Sequence, residues 1–190
     1  EPVGTLGADV VLNGDFEETG AEIIIGGDFS NPSDWQLGDG WSISGGVASC
    51  DGTQTAVSNL AQDSVFVIGE FFKTVITVNV TSGYIRLFTG GAFEDITSSG
   101  EFTRIAEANS SLSLYIQASL DFVGSIENVS VKEVGQDWVL TDGVSITAQG
   151  ARILSDGTIQ SVQQVGALVV GDTYEVEYEI TEYVSGVLTL

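Results

Sequence analysis

The chain has 190 residues, 43% of them apolar, which suffices for a folded core and argues against a disordered chain. Its 27 acidic residues face five basic ones, a net charge of −22, so no Lys/Arg cluster can grip phosphates; nucleic acid is excluded as a partner, and an anionic membrane surface would repel the chain. Histidine and methionine are absent and Cys50 stands alone, which removes Ser–His nucleophile systems, the commonest transition-metal ligand and any intrachain disulfide.

In chain order, the sequence opens Glu1-Pro2 without an initiator or a signal-peptide pattern, as expected of a piece processed from something longer. Leu12-Asn13-Gly14-Asp15-Phe16 is echoed by Ile25-Gly26-Gly27-Asp28-Phe29. Either the first is the tail of an upstream element, or the pair brackets a hairpin. Residues 59–64 could hold one helical turn at most. Strands are predicted over 72–80, 112–120 and 129–131, where apolar and polar residues alternate with the period of two that puts successive side chains on opposite faces. Residues 174–180 alternate as cleanly, with Tyr174, Val176, Tyr178 and Ile180 on one face and three glutamates on the other. Turn residues such as Gly45-Gly46, Asp51-Gly52, Ser82-Gly83, Gly90-Gly91 and Asp156-Gly157 separate the strands. Many half-buried strands without helices make an all-β sandwich or barrel, and a jelly roll of about eight strands fits the first part of the chain. Its predicted core includes Trp41, Val78, Leu114, Ile116 and Val129.

The chain also repeats itself. Asp34-Trp35-Gln36-Leu37-Gly38-Asp39-Gly40 matches Asp137-Trp138-Val139-Leu140-Thr141-Asp142-Gly143, and Ser42-Ile43-Ser44 matches Ser145-Ile146-Thr147. Asp51-Gly52-Thr53 then matches Asp156-Gly157-Thr158, and Val67-Ile68-Gly69-Glu70 with Phe72 matches Val169-Val170-Gly171-Asp172 with Tyr174. Order is kept, with the small shifts that loop-length changes give. Two domains are therefore expected: a complete jelly-roll module with an N-terminal extension over 1–134, and the first part of a second, similar module over 135–190. The partial copy implies either downstream sequence or a neighbouring subunit that completes it.

Gly27-Asp28-Phe29, Asp34-Trp35, Gly40-Trp41-Ser42-Ile43-Ser44-Gly45-Gly46 and Asp121-Phe122-Val123-Gly124-Ser125-Ile126-Glu127-Asn128-Val129-Ser130-Val131 together resemble the galactose-binding-like jelly-roll modules. These are similar to carbohydrate-binding modules and recur in bacteriophage tail fibres, other virion proteins and secreted bacterial proteins. The resemblance spans about residues 9–134 and partly 135–190. It implies a closing strand that returns beside the opening one. It also implies a structural Ca²⁺ where those strands meet, with Asp28, Ser30 and Glu127 or Asn128 as matching oxygen ligands, against the plainer reading of ordinary turn aspartates.

A second candidate surface follows from strand parity. Tyr115 and Gln117 share one face of their strand, as do Tyr84, Arg86 and Phe88. Planar polar groups beside aromatic rings suit a pyranose ring. They suit a neighbouring subunit too, and exposed aromatics on repeated modules favour that reading. No catalytic constellation emerges from the residues. The function expected is a non-catalytic structural or adhesive segment of a virion appendage of the tail-fibre or capsid-fibre type, homo-oligomeric and binding host-surface glycans. A secreted bacterial carbohydrate-binding module and an extracellular fibre subunit are the alternatives, and the location in every case is a virion or the extracellular space.

Overall fold

The computed structural model describes residues 7–190. Eleven strands occupy residues 19–134: β1 (Thr19–Glu22), β2 (Gln36–Leu37), β3 (Trp41–Ser44), β4 (Val47–Cys50), β5 (Ser58–Gln62), β6 (Phe71–Ser82), β7 (Ile85–Thr89), β8 (Ala92–Ile96), β9 (Gly100–Glu107), β10 (Leu114–Ala118) and β11 (Val123–Val134). Four short strands follow: β12 (Val139–Leu140), β13 (Val144–Thr147), β14 (Gly150–Ile153) and β15 (Val162–Gln163). The helical content among the described residues is one 3₁₀ turn, Pro32–Asp34, capped by the Asn31 side chain. Within residues 59–64, where one helical turn was allowed for, residues 59–62 belong to β5 instead, because Leu60 is needed in the core and β10 and β2 flank it.

The protein is all-β, with antiparallel sheets. One sheet runs β3-β4-β11-β6-β9 with β1 added on β11; the other runs β2-β5-β10-β7-β8. Their inner rows interlock. Ala48, Ile76, Val78, Ile126, Val129 and Val131 from the first meet Leu60, Ile85, Leu87, Leu114 and Ile116 from the second. Each fully buried aliphatic side chain contributes roughly 1.5–3 kcal/mol relative to exposure. Trp41 packs on Phe122 and Trp35 on Phe29, with ring centroids 6.0 and 5.1 Å apart, so indoles fill the sandwich ends. The five expected core residues are all buried.

β11 carries the feature that makes its pattern hard to read. Ile126 and Val129 both point inward although an odd number of positions separates them. The pairing with β6 skips Glu127, since Ile126 opposes Val78 and Asn128 opposes Thr77. One extra residue turns the later part of the strand over, as a β-bulge does. The expected return of the closing strand beside the opening segment is observed: Thr19 pairs with Val134, and the Val129 amide donates to the Gly27 carbonyl at 2.9 Å.

Beyond Val134, β12 pairs with β15 and β13 with β14. Ile146 joins Phe71 and Val134 in a small apolar cluster, with Phe16, Leu140 and Ala151 against it, so the two parts of the chain share a seam. Residues 174–180, predicted as a strand, are not one. Val176, Tyr178 and Ile180 are 58, 59 and 51% exposed. The alternating pattern is present, but among the described residues no strand pairs with it.

Candidate functional site

The expected aromatic face exists, on the outside of the second sheet. Its parity follows from burial: Ile85, Leu87, Leu114 and Ile116 are taken inward, so their neighbours must point out. Register then brings the outward residues side by side. Tyr115 lies opposite Phe88 on one flank and Ala61 on the other, and Gln117 lies between Arg86 and Asn59. β8 adds Phe93 opposite Phe88 and Asp95 opposite Arg86. Four of the five residues anticipated from sequence thus meet across two adjacent strands. Tyr84 precedes β7, half-buried at the end of the row, with its backbone held by Ser119.

Tyr115 forms a ridge between two shallow depressions. One, of about 420 Å³, is lined by Gln36, Asp39, Val57, Asn59, Ala61 and Tyr115 among others. The other, of about 340 Å³, is lined by Asn59, Phe88, Gly91, Ser111, Tyr115 and Gln117. Tyr115 meets Phe88 edge-on, 6.5 Å between centroids at 87°, an arrangement that braces its ring. Gln117 Nε2 donates to Asn59 Oδ1 at 3.2 Å, leaving the Gln117 carbonyl oxygen and the Asn59 amide donors to be used. Gln36 donates to Asp63 at 2.6 Å and Ser113 donates to the other Asp63 oxygen at 2.8 Å. These two bonds hold the Asp63 carboxyl below the ordinary aspartate range.

Arg86 is engaged across the β7–β8 pair. Its guanidinium makes a bidentate pair with Asp95 at 2.6 and 2.8 Å and lies 4.4 Å from the centre of the Phe93 ring. Its fork is spent on Asp95. It stiffens the edge of the face and holds Phe93, which is 52% exposed, rather than reaching outward.

The residues of the expected calcium set each make bonds of their own. Asp28 Oδ1 accepts from the Ser30 amide and hydroxyl at 3.1 and 2.8 Å, which lowers the Asp28 pKa. Glu127, the bulged residue, accepts from the Asn79 amide at 2.7 Å, and Asn128 sits in the β6 ladder. Among the described residues no three Asp, Glu, Cys or His side chains gather as a metal site would need.

Cys50 is buried, and its thiol lies 3.4 Å from Gln54 Oε1, while Gln54 Nε2 donates to the Ser119 and Phe122 carbonyls. Burial pushes the thiol's pKa up, so it packs rather than reacts. Among the described residues no helix is long and apolar enough to cross a membrane.

No family model matches the chain, and no curated protein does. Solved structures with a similar course include the apo CBM1 of BiXyn10A, at 13% identity over 62% of this chain and 98% of that one, with a TM-score of 0.44. A CBM4 follows at 13% identity over 64% and 98%, TM-score 0.37. A mutant of CBM29-2, from work on ligand recognition by family 29 carbohydrate-binding modules, gives 15% over 60% and 88%, TM-score 0.35. At this distance the functional reading has to rest on the face itself.

Sequence reasoning missed Asn59 and Gln36. Both are ordinary polar residues in short strands, and only register shows that they border Tyr115. Phe93 was legible in principle, as an aromatic next to the Gly90-Gly91 turn that folds β8 back on β7.

Proposed function

We propose that residues 19–134 form a non-catalytic glycan-binding module whose contact surface is the outer face of the second sheet, centred on Tyr115. The observation that carries this is one aromatic ring, Tyr115, lining two adjacent depressions in which polar side chains are mixed with apolar ones. A pyranose offers an apolar face of C–H groups and a rim of hydroxyls. Tyr115 supplies a ring for the first, while Asn59, Gln117 and Gln36 supply planar donors and acceptors for the second. A subunit interface would expose a flatter apolar centre with its polar groups at the rim. Here polar groups lie within the concavities, which favours a small polar ligand over a protein partner.

The charge narrows the ligand class. With a net charge of −22, Asp39 and Asp63 close by and Arg86 neutralised by Asp95, the face repels anionic sugars. Neutral glycans are the expected ligands. In a virion appendage or another extracellular fibre, the setting that the sequence resemblance implies, the module would act in adhesion.

The test is a glycan array followed by calorimetry on Tyr115→Ala. Truncating an aromatic anchor costs about 2 kcal/mol, roughly a thirtyfold loss of affinity. Arg86→Ala should weaken binding less, through Phe93. The reading fails if no neutral glycan binds, or if Tyr115→Ala binds as well as the parent.

A further inference from the structure

Two sets of hydrogen bonds in this molecule are the same. In the complete module, the Ile25 amide donates to Gln62 Oε1 at 2.9 Å, and Gln62 Nε2 donates back to the Ile25 carbonyl at 2.9 Å and to the Asp34 carbonyl at 3.0 Å. At the other end of the chain, the Leu12 amide donates to Gln164 Oε1 at 2.9 Å, and Gln164 Nε2 donates to the Leu12 carbonyl at 2.9 Å and to the Asp137 carbonyl at 3.4 Å. The Trp35 indole N–H donates to the Gly26 carbonyl at 2.9 Å; the Trp138 indole N–H donates to the Asn13 carbonyl at 2.9 Å. Phe29 stacks on Trp35 at 5.1 Å and Phe16 on Trp138 at 5.0 Å.

The backbone agrees. Phe29 and Phe16 both hold positive φ, 55° and 61°, which a bulky side chain rarely adopts. Each closes a turn onto the residue three before it, Gly26 or Asn13, and those two also share positive φ, at 61° and 49°. Five matched pairs of hydrogen bonds, two aromatic stacks and two matched pairs of positive φ angles coincide, across segments separated by more than a hundred residues in the second case and by about ten to forty in the first.

We propose that the second module is split in the sequence: residues 12–16 are its opening motif, and residues 17–136, with the complete module inside them, are an insertion into its first loop. The echo at the start of the chain is then neither an upstream tail nor half of a hairpin. It is the same motif serving two modules in turn. The geometry of the insertion is cheap for the backbone. β1 and the end of β11 pair, with Thr19 opposite Val134, so the chain enters and leaves the inserted module at adjacent points. That module is anchored by both ends and by the apolar seam of Phe71, Val134 and Ile146. It is not strung as a bead on a single linker, and its outer face is held at a fixed attitude to the host.

The three tryptophans give three indole N–H signals in an NMR spectrum of the full chain, and these test the nesting. Phe16→Ala should shift the Trp138 signal and leave Trp35 and Trp41 in place, while Phe29→Ala does the reverse to Trp35. Gln164→Ala should speed exchange of the Leu12 amide at least tenfold. Phe16→Leu, a smaller change, should still move Trp138 if Phe16→Ala loosens the whole segment. The proposal is overturned if Trp138 is indifferent to both Phe16 variants, or if the Leu12 amide exchanges equally fast with and without Gln164.

Discussion

Residues 34–62 and 137–164 begin from nearly the same instructions and reach different ends. Both run through an Asp-Trp pair into a short strand, a hairpin and a return strand: β2 pairs with β5 as β12 does with β15, and β3 with β4 as β13 does with β14. Gly40 and Gly143 take the same left-handed turn, at φ 81° and 85°. In the first case, however, β5 is then covered by β10 and the hairpin by β11, and both pairings arrive from later in the chain. In the second, no described strand arrives. Local turn chemistry therefore builds the same frame twice, while strand formation in the body of the sheet depends on neighbours far away in sequence.

The comparison is sharpest at β6. In the complete module it lies between β11 and β9, and Phe72, Ile76 and Val78 are buried. Its counterpart over 173–184 has the apolar row Tyr174, Val176, Tyr178 and Ile180, and the match extends to Ser185-Gly186-Val187-Leu188-Thr189-Leu190 against Ser82-Gly83-Tyr84-Ile85-Arg86-Leu87. Pattern without partner leaves Val176, Tyr178 and Ile180 exposed and Tyr174 half-buried.

The largest expected contrast is in the core. Trp41 is buried beneath Phe122 and donates its indole N–H to the Ser58 carbonyl; the position that matches it in the second module is Val144. Trp41→Ala should cost about 3–5 kcal/mol in urea unfolding of the complete module, against about 1–2 kcal/mol for Val144→Ala. Equal costs would mean that the two frames carry equal cores, contrary to the packing described above.

Next in size is a gain. Appending a second copy of residues 88–134 after Leu190 would supply the counterparts of β9, β10 and β11. Amide exchange over 173–184 should then slow by about a hundredfold or more, roughly 3 kcal/mol of local protection. If exchange stays as fast as before, the fault lies in the segment's own sequence and not in its missing neighbours.

These contrasts also explain what could be read in advance. The strand predicted over 112–120, observed as Leu114–Ala118, was legible because alternation there is strict, and that over 72–80 because its apolar residues fall mainly on one buried face. Residues 174–180 gave as clear a signal, which reports a capacity for pairing but not the presence of a partner. The bulge at Glu127 was invisible, since an extra residue looks like any other until register is known. At the face, Tyr115, Gln117, Arg86 and Phe88 followed from parity. The pairing of Arg86 with Asp95 did not, because it crosses from β7 to β8 through a register that the Gly90-Gly91 turn sets. The contact of residues 12–16 with Trp138 was not legible, because more than a hundred residues lie between the motif and its indole.

The smallest contrast expected is electrostatic, and it should be nearly absent. Asp51 accepts from the Thr53 amide and hydroxyl at 3.0 and 2.7 Å; Asp156 accepts from the Thr158 amide and hydroxyl at 3.0 and 2.6 Å. In both, the hydroxyl bond is the main cause of a pKa below the ordinary 3.8, with the amide bond second. A carboxylate whose pKa is lowered by folding adds stability that is fully present above its unfolded value. That stability is lost as pH falls through the lower, folded one. Both turns should therefore hold unchanged down to about pH 4 and loosen only in stronger acid. Glu133 acts in the opposite sense. Burial, with Glu70 nearby, raises its pKa, so it opposes folding when charged and ceases to do so as it protonates in mild acid. A carboxyl-carbon NMR titration should show Asp51 and Asp156 each titrating below the ordinary value, with Thr53→Val and Thr158→Val each returning its own aspartate towards 3.8 and leaving the other alone. Should Asp156 titrate at the ordinary value in the parent chain while Asp51 does not, the second frame would be looser than the first even at its turns, and the likeness between the two would be one of sequence alone.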